Sequence, residues 1–289
     1  MFYFVIGPNN SGTTVVCQYL AAQTGAYLPP FGHNEGQFAP AVRDMMRLDP
    51  WNAKAPIDWA FVRREWESLL RDSGKTAFVE GSPPNLLRAD AMLEAFAPDY
   101  RAMFLIANPY MSVASNLKNY AVPPLGRAQM DTAVADWLRK AQRMRENARR
   151  WPDIPLVRYE DFCIDPSIVA HAFGFDGSAR ARVAGKKTTG AREIRDMTVR
   201  NMAFLKPVEA DALSDRLAPH VDLLEFFGYD LLDANGFADQ LSAAPDLADQ
   251  GRATRAGWAR RQAVTAAVRW GRKQAMGWRS AWRGSPADA

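Results

Sequence analysis

Phe2-Tyr3-Phe4-Val5-Ile6, followed by Gly7-Pro8-Asn9-Asn10-Ser11-Gly12-Thr13-Thr14 and then by the apolar start of a helix, is the stretch on which the fold turns. A strand, a tight glycine-bounded turn and a helix N-terminus gather backbone N–H groups and the positive end of a helix dipole around one point. That arrangement suits a phosphate or a sulfate ester. Four residues separate the two glycines, as in a nucleotide-binding P-loop, but Thr13 occupies the place where a nucleotide triphosphatase carries lysine. ATP or GTP hydrolysis is therefore not expected.

Outward from this turn, strands alternate with helices, the mark of a parallel sheet with helical crossovers. A helix is predicted over about Thr13 to Thr24, followed by a Pro/Gly-rich loop from Pro29 to Gly36, and further helices around Ala41 to Leu48 and Asp58 to Arg71. Thr76 to Glu80 reads as a second strand, Asn85 to Phe96 as a helix and Arg101 to Ala107 as a third strand ending in Asn108-Pro109. Proline cannot continue a central strand but can open a helix, so a second strand-to-helix turn starts there. A long amphipathic helix covers about Arg127 to Arg150, and Ile154 to Arg158 is the fourth strand. The fold class is α/β: a P-loop-like parallel sheet flanked by helices, with a basic helical tail at the C-terminus.

The 289 residues are 48% hydrophobic and 24% charged, ample for one sizeable core. No apolar run suggests a membrane span, and no basic region precedes the short first apolar stretch, so it reads as a strand and not as a signal peptide. Cys17 and Cys163 read as reduced core thiols of a cytoplasmic protein. The three histidines are scattered and no ligand-spaced pairs occur, so no metal site is expected. Residues 251–289 carry nine basic residues against Asp288, a net +8 within an overall +4, which leaves residues 1–250 at −4. The organisation read from this is a domain over 1–235, an Ala/Asp-rich linker over 236–250 and a basic amphipathic segment over 251–289.

The order of motifs resembles the sulfotransferases that use 3′-phosphoadenosine 5′-phosphosulfate (PAPS), in particular their bacterial and tyrosylprotein-type branches, over roughly residues 2 to 232. Gly7 to Thr14 is similar to the family's Gly-x-Pro-Arg-Ser-Gly-Thr-Thr loop, and Glu80-Gly81-Ser82-Pro83 to its Glu-Lys-Ser-Pro segment. Ala107-Asn108-Pro109 with Ser115 resembles its Arg-Asn-Pro motif and the serine that follows. Tyr159-Glu160-Asp161-Phe162 and Gly228-Tyr229-Asp230 match its fourth-strand and domain ends. The resemblance implies that Pro8, Asn9, Asn10, Ser11, Gly12, Thr13 and Thr14 hold the 5′-phosphosulfate, that Ser115 touches the 3′-phosphate, and that a glutamate about twenty residues beyond the loop takes the acceptor's proton. Glu35 fits that place best, with His33 beside it and Glu80 as a rival.

Three positions depart from the family: Asn10, Gly81 and Ala107 are neutral where it carries cations. A charge-assisted hydrogen bond is worth about 1.5–3 kcal/mol, so each loss bears on donor affinity and on stabilising the charge that moves onto the leaving group. Lys118, one turn beyond Ser115, and Lys186-Lys187 are possible sources of replacement charge. Three readings stay open: a transferase that moves a sulfuryl group from PAPS to a small-molecule, saccharide or protein acceptor; a non-catalytic binding or scaffolding protein on the same fold; and an enzyme with a less anionic donor.

In the tail, Val264, Val268, Gly271, Ala275, Trp278 and Trp282 recur at helical spacing with arginines beside them. Arginine and tryptophan on one helix suit an anionic membrane surface, and docking on the domain is the competing reading. A nucleic-acid partner is not expected from a basic tail alone. The expected location is cytoplasmic, with peripheral contact at the inner membrane surface.

Overall fold

The structure, a computed structural model, describes residues 1–121, 125–177, 182–184 and 191–260. At its centre lie four parallel strands, β1 (Phe2–Ile6), β2 (Phe78–Glu80), β3 (Tyr100–Ile106) and β4 (Leu156–Arg158), in the order β2-β1-β3-β4. β1 is paired on both sides, Phe4 standing opposite Glu80 and Ala102, and all of its residues are buried. An unbroken apolar run is what a strand covered on both faces requires. Phe2 and Phe4 meet Phe96 edge-on at 4.6 and 5.1 Å between ring centroids, and Trp66 stacks on Phe78 at 5.4 Å.

The flanking helices are α1 (Thr13–Thr24), α2 (Arg43–Arg47), α3 (Trp59–Asp72), α4 (Ala89–Phe96), α5 (Pro109–Tyr120), α6 (Arg127–Arg150), α7 (Tyr159–Ile164) and α8 (Ser167–Ala172). α3 buries Trp59, Val62, Trp66 and Leu70, one stripe of its surface, and Asp58 caps it by accepting from the Phe61 amide at 2.8 Å. The helix predicted from Asn85 divides into a 3-10 turn, Pro83–Arg88, and α4. Two consecutive prolines withdraw the amides that a regular first turn would use. Past α8 a short antiparallel pair, β5 (Arg182–Ala184) with β6 (Ala191–Glu193), precedes α9 (Thr198–Met202), α10 (Pro207–Leu217), α11 (Val221–Phe226) and α12 (Ala234–Ser242). Among the described residues no helix is long and apolar enough to cross a membrane.

The segment 236–250, expected as a linker, is instead packed into the fold. Asp233 caps α12, Phe237 is buried 6.1 Å from the Tyr110 ring, and residues 245–260 are again helical. Gly251 lies so close to the chain that a Cβ there would come within 2.3 Å of the Arg200 carbonyl oxygen. Arg255 pairs with Glu209 at 2.7 Å, and Trp258 meets Phe204 edge-on at 5.6 Å. The Ala/Asp-rich composition belongs to the outer faces of short docked helices, and the start of the basic tail is docked with them. Val264 to Trp282 lie outside the described residues, as do Lys186-Lys187.

The docking sets an expected result. A chain ending at residue 235 should melt at a lower temperature than the full chain, and Arg255→Met should cost about 1–3 kcal/mol by leaving half-buried Glu209 without its partner. A chain ending at Arg260 should melt with the full chain. Equal melting of all three truncation states would show that these contacts carry no stability.

Candidate functional site

The four strands run parallel, so their C-terminal ends share one edge, and the segments quoted from the sequence follow those ends. At the exit of β1 a Cβ on Gly7 would stand 2.5 Å from the Leu105 carbonyl oxygen, so the loop leaves pressed against β3. Asn10 (φ 65°) and Gly12 (φ 87°) are left-handed, and the buried Ser11 hydroxyl closes the turn on the Pro8 carbonyl at 2.6 Å. Gly12, at the N-cap of α1, offers no side chain, so the helix begins without a side-chain cap. The amides of Thr13 and Thr14 precede the first helical bond, which Val15 makes to the Gly12 carbonyl, and lie at the positive end of the dipole.

A cation reaches this loop from α6. Lys140, 3% exposed, places Nζ 2.6 Å from Asn9 Oδ1, 2.5 Å from Asp136 Oδ2 and 3.9 Å from the centre of the Trp51 ring. Burial pulls its pKa below the ordinary lysine value and the Asp136 carboxylate opposes that shift. Asp136 also accepts from Asn116 at 3.1 Å and Arg139 at 3.2 Å, and Asn119 donates to Asn10 Oδ1 at 3.1 Å. Between loop and α6 a space of about 10 Å³ is left, bordered by Asn9, Asn10, Ser112, Asn116, Trp137 and Lys140. That is about the room for one water. The Trp137 indole N–H is buried without a hydrogen-bond partner. Arg88 fixes the chain that carries Trp51, donating to the carbonyls of Met46 at 3.2 Å and Asp49 at 2.6 Å.

At the end of β2, Glu80 is 1% exposed and accepts from the amides of Gly36 (2.6 Å) and Ser82 (2.8 Å) and from Asn85 Nδ2 (3.0 Å). Burial raises its pKa to about 7 against the hydrogen bonds from Ser82 and Gly36, and nearby Glu35 adds to the rise. Glu80 therefore tethers the turn Gly36–Phe38, at whose head Glu35 stands, 9% exposed with Gln37 Nε2 donating to its carboxylate. His33 lies on the exposed part of the same loop.

Glu80 has a pH consequence. Between its unfolded value of 4.5 and about 7 the folded chain holds a proton that the unfolded chain has released, so stability falls as pH rises through that window. The size is about 3 kcal/mol. Asn85 Oδ1 is buried without a partner, so turning its amide would let it accept from a protonated Glu80 or from glutamine. Glu80→Gln should fold and lose that slope in urea titrations between pH 5 and 8. An unchanged slope would place the titration elsewhere.

The remaining motifs are tied together by Glu160 in the first turn of α7. Its carboxylate accepts from the Asn108 amide at 2.9 Å and the Tyr229 hydroxyl at 2.8 Å, joining three of the segments quoted from the sequence. Asn108 caps α5 by accepting from the Tyr110 and Met111 amides. Ser115 is buried in α5, while Ser112 and Asn116 on that helix line the space beside the loop. Lys118 faces α9, donating to Asn201 at 2.8 Å, and does not supply the loop with charge.

The three neutral positions each have a physical reason. Asn10 holds a left-handed turn that asparagine tolerates, and Ala107 is fully buried. A Cβ on Gly81 would fall 2.4 Å from Cys17 Sγ. Both cysteines are free, with burial pushing the Cys163 thiol up to about 12 and raising that of Cys17 well above its ordinary value; neither is a ready nucleophile. Elsewhere, a cavity of about 660 Å³ opens between α5, α6 and α10, bordered by Leu117, Met130 and Val208 and by the charged Arg127, Glu209 and Arg216. Among the described residues no group of acids, histidines and cysteines could hold a metal ion.

Lys140 is the residue that sequence reasoning missed. Its signal is its place in α6, where the buried stripe reads Met130, Ala133, Val134, Trp137, Lys140, Ala141, Met144 and Asn147. A lysine in a mostly apolar stripe marks a buried charge that needs a partner.

Comparison with known proteins agrees with this geometry. The model of a sulfotransferase family matches residues 3–172. The sulfotransferase domain of the Synechococcus PCC 7002 olefin synthase superposes with a TM-score of 0.50 at 18% identity, over 80% of this chain and 95% of that domain. A sulfotransferase domain from the curacin biosynthetic pathway gives 0.43 at 17% identity, over 83% and 96%. No curated protein matches the chain.

Proposed function

Because this chain belongs to the sulfotransferase family, we propose that it transfers a sulfuryl group from PAPS to a hydroxyl or amine of a small-molecule, saccharide or protein acceptor. The observation that carries this reading is the left-handed turn from Pro8 to Gly12 opening onto the uncapped start of α1. Donors without acceptors at a dipole's positive end fit an anionic ester. PAPS supplies, when bound, the sulfuryl group and an anionic leaving group. In this reading Asn9 to Thr14 hold the 5′-phosphosulfate end and Ser115 the 3′-phosphate. Glu35 takes the acceptor's proton, as its fit to the tyrosylprotein-type branch implies. Glu80, saturated by three donors, positions the Glu35 turn through the Gly36 amide and is not itself the base.

A binding or scaffolding protein is the second reading, favoured by Ala107 being closed to a cation by burial and Gly81 by Cys17. Calorimetric titration with adenosine 3′,5′-bisphosphate (PAP) tests the donor site without an acceptor. Binding should raise the melting temperature, by mass action on the folded state; no heat and no shift at millimolar PAP would sink PAPS as donor. Binding with no transfer to any hydroxyl or amine offered, and with no effect of Glu35→Gln, would favour the second reading.

The tail reading is carried to the same bench. The full chain should bind vesicles containing anionic lipid, salt-sensitively, through residues 261–289, since each basic residue near such a surface contributes about 1 kcal/mol. A chain ending at Arg260 keeps the docked contacts, so equal vesicle binding by both would overturn peripheral attachment at the inner membrane surface.

A further inference from the structure

We propose that Lys140 is the cation of the donor-anion site, delivered from α6 in place of the loop residue, and that an anion arriving at the start of α1 draws its ammonium away from Asn9. This rests on the reading that the loop holds the anionic end of a donor. The geometry places Nζ one hydrogen bond from the loop, 2.6 Å from Asn9 Oδ1, on a side chain that is 96% buried. Packing does not call for a charge here. The neighbouring stripe positions are apolar, and replacing a buried ion pair with well-packed apolar groups is often neutral or stabilising.

Two further observations point toward an anion and not merely toward a buried ion pair. Trp137, one turn earlier on α6, borders the same space, and its buried indole N–H has no hydrogen-bond partner. Asp136 is shared between Lys140 and Arg139, at 2.5 and 3.2 Å, so the cluster keeps one net positive charge against the loop. Trp51, 3.9 Å from Nζ, covers the ammonium with a ring face and leaves it able to turn without returning to water. The loop's own residue at the family's cationic position, Asn10, is neutral and already bonded to Asn119. Lys140 thus reaches the loop that leads into α1 from the side of α6.

The test is calorimetry on the full chain with three probes: PAP, inorganic pyrophosphate, and adenosine 3′-monophosphate, which lacks the 5′-phosphate. Lys140→Met should weaken PAP and pyrophosphate by roughly 10-fold to 100-fold, the range of one charge-assisted hydrogen bond, and leave adenosine 3′-monophosphate unchanged. Its melting temperature should fall only modestly, since Asp136 keeps Arg139 and Asn116 as partners. Asp136→Asn, which frees the ammonium, should tighten PAP and pyrophosphate, and it carries the test if the methionine variant does not fold. Unchanged PAP and pyrophosphate binding in Lys140→Met, or unchanged or weaker binding in Asp136→Asn, overturns the assignment. Wild-type binding of pyrophosphate without PAP sinks PAPS as donor while Lys140 is still decided on pyrophosphate; binding of neither overturns both.

Discussion

Arginine at position 107 is expected to destabilise the protein by about 3–5 kcal/mol, the cost of a buried charge without a partner, and not to repair its donor site. Ala107 has no exposed surface, at the end of β3 where the Ser112 hydroxyl donates to its carbonyl at 3.4 Å. The carboxylate beside it, Glu160, is already engaged by the Asn108 amide, Thr198 and Tyr229. A guanidinium therefore meets neither room nor a free counter-ion. Asn10→Arg is milder, costing on the order of 1 kcal/mol because a long side chain must take a left-handed backbone. The double variant should melt on the order of 10 °C lower and bind PAP no better than wild type. A double variant with wild-type melting and tighter PAP binding would mean that the site is only an eroded form of the family's and that its charges can be put back. The same logic applies at Gly81, where lysine should be tolerated only once Cys17 has been cut back to a smaller residue.

The fold was legible because its strands are apolar runs bounded by turn residues. Phe2 to Ile6, Arg101 to Ile106 and the Asn108-Pro109 helix start needed only local patterns, and the parallel order follows from strands separated by helices. The loop was legible for the same local reason. The cleft was not, because what completes it lies far along the chain: Lys140 meets Asn9 across 131 residues, and Arg88 sets Trp51 over it from the end of a 3-10 turn. Sequence spacing points to Lys118 as a nearby positive charge, since it follows Ser115 by one turn, yet the helix turns it toward Asn201. The linker expectation failed because alanine and aspartate on short helices give the same composition as a solvated connector. The buried Phe237 and Ala248 tell docked helices from a solvated connector.

Gly12→Ala should have the largest effect per atom added. The φ of 87° is one that alanine rarely adopts, and the new Cβ would stand 2.3 Å from Cδ2 of the Tyr159 ring. Neither partner can give way easily. Tyr159 is buried at the head of α7 with its hydroxyl bonded to the Arg195 carbonyl at 3.2 Å, and the glycine is the N-cap from which Val15 and Val16 take their first helical carbonyl. Strain of about 1–3 kcal/mol from the backbone adds to about 1–3 kcal/mol from overpacking, so a loss of roughly 3 kcal/mol or more is expected in urea unfolding. Function should fall further than stability. To relieve the contact the turn must roll away from β4, which moves the first-turn amides of α1 and withdraws Asn9 from Lys140. PAP binding should be lost even at temperatures where the variant stays folded. Tyr159→Leu in the same chain removes the ring but not the positive φ, so it should recover part of the stability, with a coupling energy above about 1 kcal/mol between the two sites. Additive effects of the two substitutions, or wild-type PAP affinity in Gly12→Ala, would show that the loop does not depend on the Tyr159 wall behind it.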